Sequence, residues 1–252
     1  MTPAILITGA SSGLGAALAE EYAEPGSTLF LGGRDAARLE AVAAVCRAKG
    51  ASVATKAVDV TDRAGMEDWI AACESKAPLT LVIANAGISG GTGNRLGETA
   101  EQTRTIFSAN LDGMLNTVLP VIPLMQARKT GRIAVMASLA GFRGMPGAPA
   151  YCASKGAVRM WGEGIRGWLA RDGISVSVIC PGFVATPMTK PNRFPMPFLM
   201  QPARAAGIMR RGIDAGRARI AYPWPMAAAV WLLAALPPGW IDPLLAKAPK
   251  KG

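Results

Sequence analysis

No histidine occurs anywhere in the 252 residues of this chain. That absence excludes Cys/His zinc sites, Cys–His dyads and Ser–His–Asp triads, so proton transfer has to run through other side chains. Cysteine is sparse as well: Cys46, Cys73, Cys152 and Cys180 lie far apart with no Cys-x-x-Cys pair, and no metal is expected. Only 17% of residues are charged while 50% are hydrophobic, which argues against disorder and supplies a sheet buried on both faces. From Met1 the chain runs directly into Ala4–Thr8 without a basic region, a long apolar stretch or a small-residue cleavage site. The expectation is a cytoplasmic chain with reduced thiols.

Acidic residues are scarce at the far end. From Pro187 onward 10 Lys/Arg stand against 2 Asp/Glu, whereas the preceding residues carry 17 against 15. No nucleic-acid-binding motif accompanies the excess, so nucleic acid is not expected as a partner.

What is present alternates. Short runs rich in Val, Ile and Leu are separated by longer Ala-rich amphipathic stretches, the βαβ rhythm of a Rossmann-type, doubly wound parallel α/β sheet with helices on both faces. Seven strands are expected, at Ala4–Thr8, Thr28–Gly32, Ser52–Val58, Leu79–Ala84, Arg132–Ala137, Ile174–Cys180 and Arg217–Tyr222. Helices are expected at Leu14–Ala23, Ala36–Lys49, Arg63–Lys76, Ala100–Leu119 and Tyr151–Arg171, with Pro25-Gly26 and Gly50 as stops and Thr61-Asp62 as a cap. Residues 1–252 read as a single domain, with 187–252 set apart as a loop and an apolar, basic extension.

Thr8-Gly9-Ala10-Ser11-Ser12-Gly13-Leu14-Gly15 directly follows the first strand and opens the first helix. Glycines permit a tight turn and close backbone approach to a pyrophosphate, and the helix N-terminus offers free N–H groups. Tyr151 and Lys155 stand four apart, so both project from one helix face, and a cation beside a phenol favours the phenolate. That pair supplies general acid/base chemistry without histidine. Ser138, ending the fifth strand, places a hydroxyl where it can orient a reacting oxygen.

The order of these features resembles the short-chain dehydrogenase/reductase family, whose T-G-x-x-x-G-x-G fingerprint is matched from Thr8 to Gly15 and whose Y-x-x-x-K is matched at Tyr151 and Lys155. The resemblance covers residues 4–190 and continues more loosely to the end. It implies that Ser138, Tyr151 and Lys155 form a catalytic triad, with Lys155 also holding the nicotinamide ribose. Asn110 then completes a tetrad by bending its helix and positioning a water in a proton relay. By the same resemblance Gly9, Ser11, Ser12, Gly13, Leu14 and Gly15 hold the pyrophosphate. Asp59-Val60 contacts adenine, Asn85-Ala86-Gly87 lines the adenosine side, and Pro181-Gly182 with Thr186 brackets the carboxamide. Ala84 departs from the family's frequent asparagine at that place.

At the end of the second strand stands Arg34, where an acidic residue would repel a ribose 2′-phosphate, and Asp35 is read as the cap of the next helix. The cofactor expected is NADP(H). The Met- and Pro-rich stretch Phe194–Met200 suggests a cover over a small apolar carbonyl or alcohol substrate. Ile220–Ile241 carries no charge over 22 residues but is interrupted by Pro223, Pro225, Pro237, Pro238 and Gly239. Its longest uninterrupted part, Met226–Leu236, is too short to span a bilayer. Residues 220–251 either lie on an anionic membrane face or bury in a homodimer or homotetramer interface. The expected function is NADP(H)-dependent interconversion of an alcohol and a carbonyl; the alternative is a catalytically silent nucleotide-sensing or membrane-surface scaffold.

Overall fold

Each Val-, Ile- and Leu-rich run becomes a strand in the computed structural model, which describes residues 3–92 and 97–245. The strands are β1 (Ala4–Thr8), β2 (Thr28–Gly33), β3 (Ser52–Ala57), β4 (Leu81–Ala84), β5 (Gly131–Met136), β6 (Ile174–Pro181) and β7 (Arg219–Tyr222). They form one sheet in the order β3-β2-β1-β4-β5-β6-β7 with parallel pairing throughout. β1 is buried along its whole length, as a central strand covered on both faces must be. β4 starts at Leu81 rather than Leu79, and β7 at Arg219 rather than Arg217, because pairing with their neighbours begins there.

Helices cover both faces. On one side pack α1 (Gly13–Tyr22), α2 (Ala36–Ala48) and α8 (Pro202–Asp214), through residues such as Leu18, Leu39 and Met209. On the other pack α3 (Arg63–Lys76), α5 (Gly113–Val118), α6 (Val121–Arg128) and α7 (Pro149–Leu169), through Ile70, Met114, Met125 and Val158. Two caps behave as read: Asp35 accepts from the Arg38 amide at 2.9 Å and Asp62 from the Gly65 amide at 3.0 Å.

One expected helix is not continuous. The stretch from Ala100 divides into α4 (Ala100–Phe107), a π-helical turn over Ser108–Asp112, and α5. Inserting one wide turn redirects the helix and turns Asn110 inward, where it is 1% exposed. Past the seventh strand, the prolines start helices instead of merely interrupting them. Pro225 lies in the first turn of α9 (Trp224–Ala235) and Pro238 begins α10 (Pro238–Leu245).

The direction of winding reverses between β1 and β4, so the crevice of the sheet opens beyond their C-terminal ends. Close packing at one corner of that crevice depends on Gly32, whose added Cβ would lie 2.4 Å from the buried Trp69 ring. Gly32→Ala should destabilise the fold by about 1–3 kcal/mol through overpacking, measured as a lower urea midpoint at unchanged slope.

Candidate active site

The crevice begins where β1 and β4 are tied together. Thr8 Oγ1 accepts from the Asn85 and Ala86 amides, both at 3.2 Å, while Asn85 Nδ2 donates to the Thr8 carbonyl at 2.9 Å. Gly9 sits against this joint with φ +67°, and a Cβ there would fall 2.8 Å from Ala86 Cα. Only glycine meets both demands. Gly15 backs the turn from behind, its Cβ position 2.2 Å from the Gly9 carbonyl oxygen. Ser12, the N-cap of α1, makes no side-chain cap bond, so the first-turn amides depend on another acceptor. Together these residues form a cradle of backbone N–H groups at a helix N-terminus, the donor set that suits a pyrophosphate.

From this turn a cleft of about 690 Å³ runs along the C-terminal edge of the sheet. Gly9, Ser11, Ser12, Gly13, Leu14, Arg34, Asp59, Val60, Asn85, Ala86 and Gly87 line it, as do Ser138, Tyr151, Lys155, Pro181, Gly182 and Thr186. Of the catalytic and cofactor residues read from the sequence Gly15 and Asn110 do not line it, and neither does any residue of Phe194–Met200, the stretch read as a substrate cover. Arg34 is exposed at the cleft edge and acts on Asp59, whose carboxylate is held below its ordinary range chiefly by the Thr61 amide and hydroxyl. Asp59 is thus both a loop cap and part of the cleft wall.

Tyr151 and Lys155 enter the cleft from α7. The Lys155 ammonium is 2% exposed and donates to the Met136 carbonyl at 2.7 Å. Burial pulls its pKa down from 10.5 to about 8, because a cation loses water solvation that one carbonyl only partly replaces. Tyr151 departs from expectation. Burial is the largest influence on its phenol and holds it above the ordinary value, while Ser138 acts in the opposite direction. Helical spacing places the two on one face of α7, and both line the cleft, with the ammonium donating to the β5 carbonyl.

Asn110 lies one layer deeper. Its Oδ1 accepts from the Ile88 amide at 2.7 Å, and its Nδ2 donates to the Ile88 carbonyl at 3.0 Å and to Ser154 Oγ at 2.9 Å. The π-helical turn is what delivers this side chain to both partners. Gly87 keeps the space open, since a Cβ there would stand 2.8 Å from Asn110 Oδ1 and 3.2 Å from Lys155 Nζ.

Four contributors escaped the sequence. Arg38 also lines the cleft beside Arg34, its Nε donating to Asp35 at 2.7 Å; its signal was its place one helical turn past the cap. Ser154 sits inside the Tyr–Lys motif and was passed over. The Met136 carbonyl is backbone and leaves no trace in a sequence. Glu98 accepts from the Ala150 amide at 2.9 Å and so caps α7, whose N-cap residue Ala148 cannot; across 52 residues of chain no local pattern reveals it.

A family model described as short chain dehydrogenase matches residues 3–195. The chain belongs to the short-chain dehydrogenase family. It is accordingly an oxidoreductase with a Rossmann-type fold that binds a nicotinamide cofactor. It is similar to an uncharacterized oxidoreductase of Myxococcus xanthus, 40% identical over 92% of each chain. Among solved structures, a short-chain dehydrogenase from Sphingobium yanoikuyae in complex with NADPH superposes with a TM-score of 0.80 at 29% identity, covering 98% of this chain and 96% of that one. A short-chain dehydrogenase from Mycobacterium paratuberculosis bound to NAD shares the fold at a TM-score of 0.75, with 21% identity over 87% of this chain and 94% of that one. The fold therefore admits either nicotinamide.

The buried ammonium carries a cost. The unfolded chain keeps the Lys155 proton up to its ordinary pKa of 10.5, whereas the folded chain releases it above about 8. Stability from this group consequently rises with pH between those values, and the full penalty applies below the lower one. Lys155→Met should raise stability at pH 7 by about 1–3 kcal/mol, and the gain should vanish toward pH 11, as read by urea unfolding with no nucleotide added.

Proposed function

We propose that this protein is an NADP(H)-dependent oxidoreductase that interconverts an apolar carbonyl compound and its alcohol. The observation that carries the reading is that Ser138, Tyr151 and the buried Lys155 line one cleft together with the glycine cradle of α1. The glycine cradle at α1 fits a nicotinamide dinucleotide, which when bound supplies or accepts the hydride. Ser138 orients the substrate oxygen, and Tyr151 gives that oxygen its phenolic proton during reduction or takes the alcohol proton during oxidation. A phenol held above its ordinary pKa stays protonated, the form that reduction requires. Lys155 keeps a positive charge beneath the site at neutral pH, and Asn110 with Ser154 fixes the wall against which it lies.

NADP(H) is favoured over NAD(H) by the side chains at the end of β2. Arg34 and Arg38 both line the cleft, while the Asp35 carboxylate is turned into the cap of α2 and into its bond with Arg38. Arg34 at the cleft edge, with the Asp35 carboxylate engaged by Arg38, suits a 2′-phosphate. An apolar substrate is favoured by Met188 at the cleft wall and by Phe198 and Leu199, exposed in the loop between β6 and α8.

Tyr151→Phe should bind NADPH as the parent does yet reduce ketones and aldehydes at least about a hundredfold more slowly; parental turnover would refute the proton-transfer role. Comparison of kcat/KM should favour NADPH over NADH by about tenfold or more, and Arg34→Ala should shrink that preference. Equal values in the parent would remove the cofactor assignment.

A further inference from the structure

α9 is built like the inside of a protein and sits on its outside. Met226, Ala227 and Val230 pack against the core, while Trp224, Ala228, Trp231, Leu232 and Ala235 form the opposite stripe at helical spacing. Trp224 is 78% exposed, Trp231 62% and Leu232 59%, and Trp240 on α10 is 77% exposed. No charged residue interrupts the chain from Ile220 to Ile241. The helix is nonetheless firmly placed: Arg143 Nη1 donates to the carbonyls of Leu233 and Leu236 at 3.1 and 2.7 Å. An apolar stripe on an anchored helix is a contact surface awaiting an occupant.

Charge and side-chain type select that occupant. The last part of the chain from Pro187 carries 10 Lys/Arg and 2 Asp/Glu, with Lys247, Lys250 and Lys251 following α10 in the sequence; these three lie outside the described residues. Two copies joined here would each bring a C-terminal part of net charge +8, so charge works against a second copy as the occupant. An anionic bilayer complements it, and tryptophan is the side chain that settles at the level of lipid headgroups. Among the described residues no helix is long and apolar enough to cross a membrane, so the contact is one of lying on the surface. We propose that α9 and α10 dock this protein on the face of an anionic lipid bilayer. Both α9 and the loop with Met188, Phe198 and Leu199 leave the C-terminal edge of the sheet, the edge along which the cleft opens.

The test uses the full chain and reads binding, not turnover, so its outcome is independent of the assigned reaction. The protein is sedimented with vesicles of phosphatidylcholine alone and with vesicles containing roughly one-third phosphatidylglycerol, at about 0.1 M salt. Sedimentation with the anionic vesicles only is expected. A W224S/W231S/W240S variant, whose thermal unfolding should match the parent since all three side chains are exposed, should lose at least tenfold in vesicle affinity. A K247E/K250E/K251E variant should lose affinity on anionic vesicles as well. Absence of parental sedimentation, or undiminished binding by the tryptophan variant, would overturn the proposal. So would a parental dimer, seen by light scattering, that dissociates in the tryptophan variant while neither protein binds vesicles; a second copy would then be the occupant.

Discussion

A lysine ammonium withdrawn from water is the constraint around which the site is arranged. Lys155 needs an acceptor, and the Met136 carbonyl supplies it by pointing out of the end of β5. It needs room, and Gly87 supplies that by having no side chain. It needs α7 to lie close to the turn after Ser138, and Gly141 permits the approach, since a Cβ there would come within 2.7 Å of the Lys155 carbonyl group. Asn110 closes the floor through Ile88 and Ser154. A buried charge destabilises the fold, and proteins retain such strain where chemistry uses it.

Much of this was legible in the sequence because it is encoded locally. β1, the glycine turn and the start of α1 follow one another without interruption, so the phosphate cradle could be read from eight consecutive residues, Thr8–Gly15. The role of Asp35 was readable for the same reason: a cap acts within one helical turn. What could not be read depends on residues distant in sequence. The bend at Asn110 was expected only through the family resemblance, since the partners that hold its side chain, Ile88 and Ser154, lie 22 and 44 residues away. The cap that Glu98 provides to α7 is hidden in the same way.

Of two further departures from expectation, one shares that origin and the other is local. The i, i+4 spacing of Tyr151 and Lys155 suggested that the cation would lower the phenol pKa, but burial is set by tertiary packing and dominates both groups. The prolines beyond β7 looked like interruptions, whereas a proline in the first turn of a helix forfeits no hydrogen bond. Pattern located the elements, and only packing decided how they behave.

Tyr151, Ser138 and Lys155 meet in one cleft with a dinucleotide cradle at its other end, which makes direct hydride exchange with a carbonyl carbon the central claim. Its most direct measurement follows deuterium from NADPH labelled in turn at each face of C4 into the alcohol formed from an apolar ketone. The account predicts deuterium on the carbinol carbon, from one face of the nicotinamide only, with the hydroxyl proton drawn from solvent through the protein. An alcohol that carries no deuterium from either labelled cofactor, or deuterium delivered equally from both, would contradict it.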